Sequence, residues 1–177
     1  MKVYVVRHGE TNENIGNIMQ GNMDTVLNDK GKKQARLARE QIKDKGIDII
    51  IASPKARTKE TAEIISDGKI PIIYDERLKS RNHGEFEGMS RLDMDLKTYW
   101  NININKQYEK AESVGALYHR VSSLLEMVKR FYPNKTVLLV THSGVCRILY
   151  YYFNGIPSDG DLTAYEAHNG LVEEYEL

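Results

Sequence analysis

Apolar residues follow two rhythms along this chain, and their alternation predicts the architecture. Continuous apolar, β-branched-rich runs occur at 2–6 (KVYVV), 47–53 (IDIIIAS), 69–75 (KIPIIYD) and 136–141 (TVLLVT). Each has the length of a buried strand. A last run, 171–177 (LVEEYEL), follows Gly170 and reads as a closing strand. Between these runs the spacing changes to three and four. Ala35, Ala38 and Ile42 share one face of a helix predicted over 29–45, with Asn28 as its N-cap. Ser53 and Pro54 predict an N-cap and a first helical position, opening a helix that runs to about Ser66. Val114, Leu117, Val121, Leu124, Leu125, Val128 and Phe131 form an i, i+3, i+4, i+7 stripe over 113–131. A further helix is expected over about 144–153. Pro71 lacks a backbone donor and puts its strand at a sheet edge. Residues 76–110 carry neither rhythm, with glycines at 84 and 88 and a polar stretch rich in Asn and Tyr, and predict loop with irregular helix.

Strands alternating with helices imply an α/β fold whose mostly parallel sheet has helices on both faces. No repeat, low-complexity tract or linker breaks the 177 residues, so one domain spanning 1–177 is expected. Charge is balanced, 25 Lys and Arg against 25 Asp and Glu. That removes any electrostatic reason to expect nucleic acid or an anionic membrane as partner. The single cysteine, Cys146, excludes an intrachain disulfide and is too few for a Cys-based metal site. The opening apolar run is far shorter than a signal-peptide core, and no stretch reaches membrane-spanning length, so a cytoplasmic location is expected.

In such sheets ligands bind beyond the carboxyl ends of the strands. After the first strand come Arg7 and His8; after the second, Ser53 and then Arg57 in the first turn of a helix. After the third come Arg77, Ser80, Arg81 and His83; after the fourth, Thr141, His142 and Ser143. A histidine behind a strand is by itself more often a satisfied polar residue than a catalyst. Four strand ends delivering histidines and arginines toward one edge change those odds. Arginine forks and helix-end amides suit a phosphate dianion. Imidazole among them suits phosphoryl transfer, as nucleophile or proton carrier.

The residues "RHGETNEN" (7–14), "QG" (20–21), "LNDKGKKQA" (27–35), "SPKARTKETA" (53–62), "GEFEG" (84–88) and "VTHSGVCR" (140–147) resemble, in order, the signature of the histidine phosphatase superfamily. The resemblance to this phosphoglycerate mutase-like family spans nearly the whole chain. It implies a three-layer α/β/α sandwich and chemistry through a phosphohistidine. By position, His8 is then the nucleophile, and Arg7, Arg57 and His142 hold the phosphate oxygens. Asn14, Gln20, Gly21, Ser80 and Ser143 match positions that line the site. No metal or cofactor is implied, because the arginines supply the positive charge. With His8 neutral and His142 a cationic donor, the rate would be bell-shaped in pH or peak on the acid side.

One segment departs from the family pattern. Most members carry a glutamate as proton donor where this chain has Ser80, a hydroxyl far too weak an acid for that role. Glu85 and Glu87 align with a turn and read as structural. The reading is therefore a metal-independent phosphomonoesterase of the small-phosphatase branch, acting on a small phosphorylated metabolite. Mutase, α-ribazole phosphatase and protein phosphohistidine phosphatase remain alternatives within the family. A non-catalytic phospholigand-binding module is the alternative outside it. Residues 76–110 are expected to cover the site. Tyr99, Trp100, Tyr108 and Tyr118 offer rings to a substrate but read first as core. The "YYYF" run (150–153) reads as packing; it would offer a surface for a homodimer, which nothing else in the sequence supports.

Overall fold

The computed structural model describes residues 1–177. The elements run β1 (Lys2–Arg7), α1 (Asn12–Ile15), α2 (Asp29–Ile42), β2 (Ile49–Ala52), α3 (Ala56–Ser66), β3 (Ile72–Tyr74), α4 (Leu96–Tyr99), α5 (Val114–Phe131), β4 (Val137–Thr141), α6 (Ser143–Asn154) and β5 (Val172–Glu176). The strands form one sheet in the order β3-β2-β4-β1-β5. All pairings are parallel except that of β5, which runs antiparallel to β1.

The period of two in the strands sorts their side chains into two cores. Val3, Val5, Ile51, Val137 and Leu139 face α5 and α6, together with Leu117, Val121, Leu124 and Ile148. Tyr4, Val6, Ile50, Ala52, Leu138 and Val140 face α2 and α3, meeting Ala38, Ile42, Ala62 and Ile65. Strands buried on both sides read as unbroken apolar runs rather than alternating ones. The result is the expected sandwich of helix, sheet and helix.

Local signals mostly act where the sequence puts them. The Asn28 side chain accepts from the Gly31 amide and caps α2. The Ser113 side chain does the same for α5 through Ala116. β3, just after Pro71, lies at the sheet edge, and its regular part is shorter than the apolar run 69–75. Three expectations fail. Helix α2 ends at Ile42, not 45, where the chain turns toward Gly46 at φ +65°. Phe131 closes the α5 stripe in sequence but, as the last residue of that helix, is 64 % exposed. Ser53 does not cap α3: the cap position is Lys55, with no side-chain cap bond. The Ser53 hydroxyl is used elsewhere.

Residues 76–110 contain three 3-10 turns (Glu76–Leu78, Gly84–Phe86, Arg91–Asp93) and the four-residue α4. Aromatic packing organises this segment. Tyr99 meets Phe86, Trp100 and Tyr108 in edge or tilted contacts at 5.3–5.8 Å between ring centroids. Tyr99 and Trp100 are buried, as the core reading of these rings expects, and Tyr118 packs against the core. In the "YYYF" run Tyr151 is buried, Tyr150 stacks on Tyr165 and Phe153 stacks on Tyr175. No helix is long and apolar enough to cross a membrane.

Candidate active site

Arg7 ends β1 in register with Thr141 of β4, so the residues that follow, His8 and His142, emerge side by side. The His8 amide still pairs with the Thr141 carbonyl at 2.9 Å. Their rings lie 5.3 Å apart, inclined at 64°. His8 is buried, and its Nδ1 lies 2.7 Å from the Gly9 carbonyl. A carbonyl only accepts, so Nδ1 carries the proton and Nε2 keeps its lone pair. Burial, then the charges of Arg57 and Arg7, push the His8 pKa well below the ordinary imidazole value. The ring is neutral at physiological pH, as a nucleophile must be.

Two guanidinium groups are fixed beside it. Arg7 Nη1 donates to the Ala167 carbonyl at 2.8 Å. Arg57, one residue into α3, donates to the carbonyls of Met23 at 2.8 Å and Gly21 at 3.0 Å and to the Thr25 hydroxyl at 3.2 Å. It is 1 % exposed with no hydrogen-bonded carboxylate, and burial lowers its pKa to about 10. His142 is the N-cap residue of α6. Its Nε2 lies 2.8 Å from the Ser53 hydroxyl, which is where that side chain is used.

Six buried side-chain polar atoms lack a hydrogen-bond partner, and Arg7 Nε, Arg57 Nε and His142 Nδ1 are three of them. Orphaned buried donors are costly unless a ligand satisfies them. The amides of the first turn of α6 have no partner within the helix and add to the same positive end. Three orphaned atoms and two cations without carboxylates describe a seat for a phosphate dianion. Burial and the charges of Arg57, His8 and Arg7 hold His142 well below the ordinary imidazole value too. It is therefore neutral in the free site, where the sequence reading has a cation; with Nε2 accepting from the Ser53 hydroxyl, Nδ1–H is the donor left to the cavity.

These residues open onto a cavity of about 340 Å³. Asn14, Gln20, Gly21, Ser80 and Ser143 all line it. Asn14 Oδ1 accepts from the Thr11 amide at 3.0 Å, closing a capping box on α1. Gln20 Oε1 takes the Thr25 hydroxyl at 2.5 Å. Gly21 adopts φ +46°, and a Cβ there would meet the Glu87 carboxylate at 2.3 Å. Glu87 is structural, as expected, accepting from the amides of Asn22 and His83.

Two of the strand-end arginines do not reach the cavity. Arg77 is held by both carboxylate oxygens of Asp75 at 2.9 and 2.7 Å. Arg81 turns into the core, with its guanidinium 3.8 Å from the centre of the Tyr99 ring. His83, between Ser80 and the aromatic cluster, does line the cavity. So do Arg91, Trp100, Arg147, Glu166 and Asn169, which the strand-end search missed. Arg147 was legible: it lies four residues after Ser143 on the same helix face. The loop before β5, which supplies Glu166 and Asn169, has no pattern to flag it. No group of three or more His, Cys, Asp or Glu side chains is placed to hold a metal ion.

The chain matches known proteins over nearly its whole length. The sequence pattern of the histidine phosphatase superfamily (branch 1) matches residues 3–174. An uncharacterized phosphatase PhoE of Bacillus subtilis is 37 % identical over 176 residues, covering 99 % of this chain and 88 % of the relative. Phosphoserine phosphatase 1 of Hydrogenobacter thermophilus is 30 % identical over 163 residues, covering 88 % and 77 %. Among solved structures, Bacillus stearothermophilus YhfR superposes with a TM-score of 0.90 at 29 % identity, over 99 % of this chain and 91 % of that one. By sequence and by fold, the chain belongs to branch 1 of the histidine phosphatase superfamily.

Proposed function

We propose that this protein is a metal-independent phosphomonoester hydrolase in which His8 Nε2 attacks the phosphorus and carries the phosphoryl group as a phosphohistidine. One observation carries the reading: the Nδ1 contact to the Gly9 carbonyl fixes the only tautomer that can attack, beside orphaned donors on two guanidinium groups and a neutral imidazole. Arg7, Arg57 and the His142 Nδ1–H bind the equatorial oxygens, whose charge spreads in the transition state. Asn14, Gln20, Gly21 and Ser143 shape the seat. Water then releases phosphate from His8.

The outer cavity wall, with Arg91, Arg147, Thr163 and Glu166, suits a small polar ester, and the 76–110 segment covers it. Relatives named for phosphoserine support that substrate scale. The single-domain reading of 1–177 and a cytoplasmic location belong to the same proposal. The test is hydrolysis of p-nitrophenyl phosphate and 3-phosphoglycerate in EDTA, with His8→Ala as control. Turnover should survive EDTA and fall at least about 10⁴-fold in the variant. Acid quench of wild type should trap a phosphoenzyme stable in alkali and labile in acid. EDTA-sensitive turnover, or turnover retained by His8→Ala, would overturn the reading.

A further inference from the structure

The alcohol part of an alkyl phosphate leaves as an alkoxide, whose conjugate acid is about as weak an acid as water. Something at the site has to protonate it. Two carboxylates line the cavity, and neither holds a proton to give. Glu10 pairs with Lys30 at 2.8 Å and Glu166 with Arg91 at 2.9 Å, and both pKa values are lowered by those bonds.

His83 is placed differently. Its Nδ1 lies 2.6 Å from the Tyr99 hydroxyl, in the buried half of the segment. Its Nε2 has no protein partner and is not among the buried orphans, so it is open to the cavity the residue lines. The Tyr99 hydroxyl makes no other hydrogen bond, so it donates to Nδ1. That leaves Nε2 as the protonated nitrogen, open to the cavity that Ser80 also lines. Behind Tyr99 stands Arg81, wholly buried, with two backbone carbonyls for partners, Nη2 unsatisfied and no carboxylate bonded to it. A buried guanidinium without a counter-ion is a costly arrangement. It lies 3.8 Å from the centre of the Tyr99 ring.

We propose that His83, Tyr99 and Arg81 form a neutral proton relay that serves the leaving group. The proposal rests on the phosphohistidine reading. When His8 Nε2 bonds to phosphorus, the bond to the leaving oxygen breaks and its electron pair stays on that oxygen. The oxygen takes the His83 Nε2 proton, Nδ1 takes the hydroxyl proton of Tyr99, and a phenolate remains over Arg81. In the second step water attacks phosphorus and the P–N bond breaks, its pair returning to His8. The water gives one proton to His83 Nε2, and Nδ1 returns its proton to Tyr99. The relay is an acid in the first step and a base in the second, as reversibility requires.

The energetics run the right way. Burial pushes Tyr99 up to about 12 and His83 down to about 3, so both are neutral at pH 7. A phenol at about 12 is still a stronger acid than the departing alcohol. The buried charge of Arg81 acquires its counter-ion only while the phenolate exists, which is the differential stabilisation catalysis needs.

The test is the dependence of kcat/KM on leaving-group pKa, over p-nitrophenyl, phenyl and alkyl phosphates. Wild type, Tyr99→Phe and His83→Gln are compared. The relay predicts a shallow slope in wild type and a steep one in both variants, with the alkyl-to-aryl ratio falling about 10²-fold or more. Tyr99→Phe keeps the ring that packs on Arg81 and Phe86; His83→Gln serves if it does not fold. A merely structural role would lower all esters by one factor and leave the slope unchanged. That outcome overturns the relay, as does a steep slope in active wild type. Absence of His8-dependent turnover in wild type would instead remove the phosphatase reading, and the relay with it.

Discussion

Arg7, His8, Arg57 and His142 sit at strand ends or in the first turn of a helix, so sheet register decides where they meet. Ser80, His83, Arg91 and Trp100 ride on a segment whose regular structure amounts to 3-10 turns and one short helix. The first group is placed by hydrogen-bonded ladders that any sequence of the right pattern would form. The second is placed by what its side chains touch: rings against rings, and the guanidinium groups of Arg81 and Arg147 at 4.8 and 4.5 Å from the Trp100 ring centre. One wall of the cavity is held by backbone and the other by packing. Chemistry common to all phosphate esters belongs on the first, and discrimination among esters on the second.

The largest expected effect tests the packing. Trp100→Ala removes the ring at the centre of the second wall and should cost about 3–5 kcal/mol. In a domain of this size that lowers the melting temperature by roughly 6 °C or more. A loss below 1 kcal/mol, read by denaturant titration, would show that the segment holds its shape without the aromatic cluster. Next, Arg57→Ala should lower kcat/KM by about 10²–10³-fold, and by the same factor for every ester. A substrate-dependent loss would mean that the first wall also selects.

Acid stability separates the walls less sharply, because both bury neutral imidazoles. His8 and His142 are held far below the ordinary value and His83 at about 3, so below pH ~6.5 the unfolded chain binds protons that the folded one refuses. Stability is complete above that pH and falls on acidification, by up to about 1.4 kcal/mol per pH unit for each histidine. Urea titrations from pH 7 to pH 5 on His83→Gln should show a shallower decline than wild type; equal slopes would remove His83 from the account. The smallest effect is at Ser80. With His83 donating the proton, Ser80→Glu should improve alkyl-ester turnover less than about threefold. A gain of tenfold or more would return the task to a carboxylate.

This contrast also explains what the sequence made legible. Unbroken apolar runs revealed the strands. The residues that follow the first, second and fourth runs include His8, Arg57 and His142, which line the cavity, whereas Arg77 and Arg81 after the third do not. Asn28 announced a helix because capping is local. The failures are non-local. Whether Ser53 caps α3 or bonds His142 depends on β2 lying beside β4, 89 residues away in sequence. Whether Arg81 points to the cavity or into the core depends on Tyr99 and Glu112, neither of which its neighbours in sequence disclose. Arg91 and Glu166 find each other from unpatterned loops.

Gly9 and Gly31 touch backbone to backbone. A Cβ on Gly9 would sit 2.3 Å from the Gly31 carbonyl oxygen, and one on Gly31 would sit 2.1 Å from the Glu10 carbonyl oxygen. The carbonyl that sets the His8 tautomer thus belongs to a residue pinned against the start of α2. Neither position can drift by a single codon change without displacing the nucleophile. The covering segment has one comparable point, Gly84 at φ +55°, whose backbone lies against that of Glu109, Lys110 and Ala111; elsewhere its side chains hold it. Away from Gly84 and the relay residues, change can therefore accumulate in the cover while the attacking group stays fixed, and a lineage built this way changes what it hydrolyses far more readily than how.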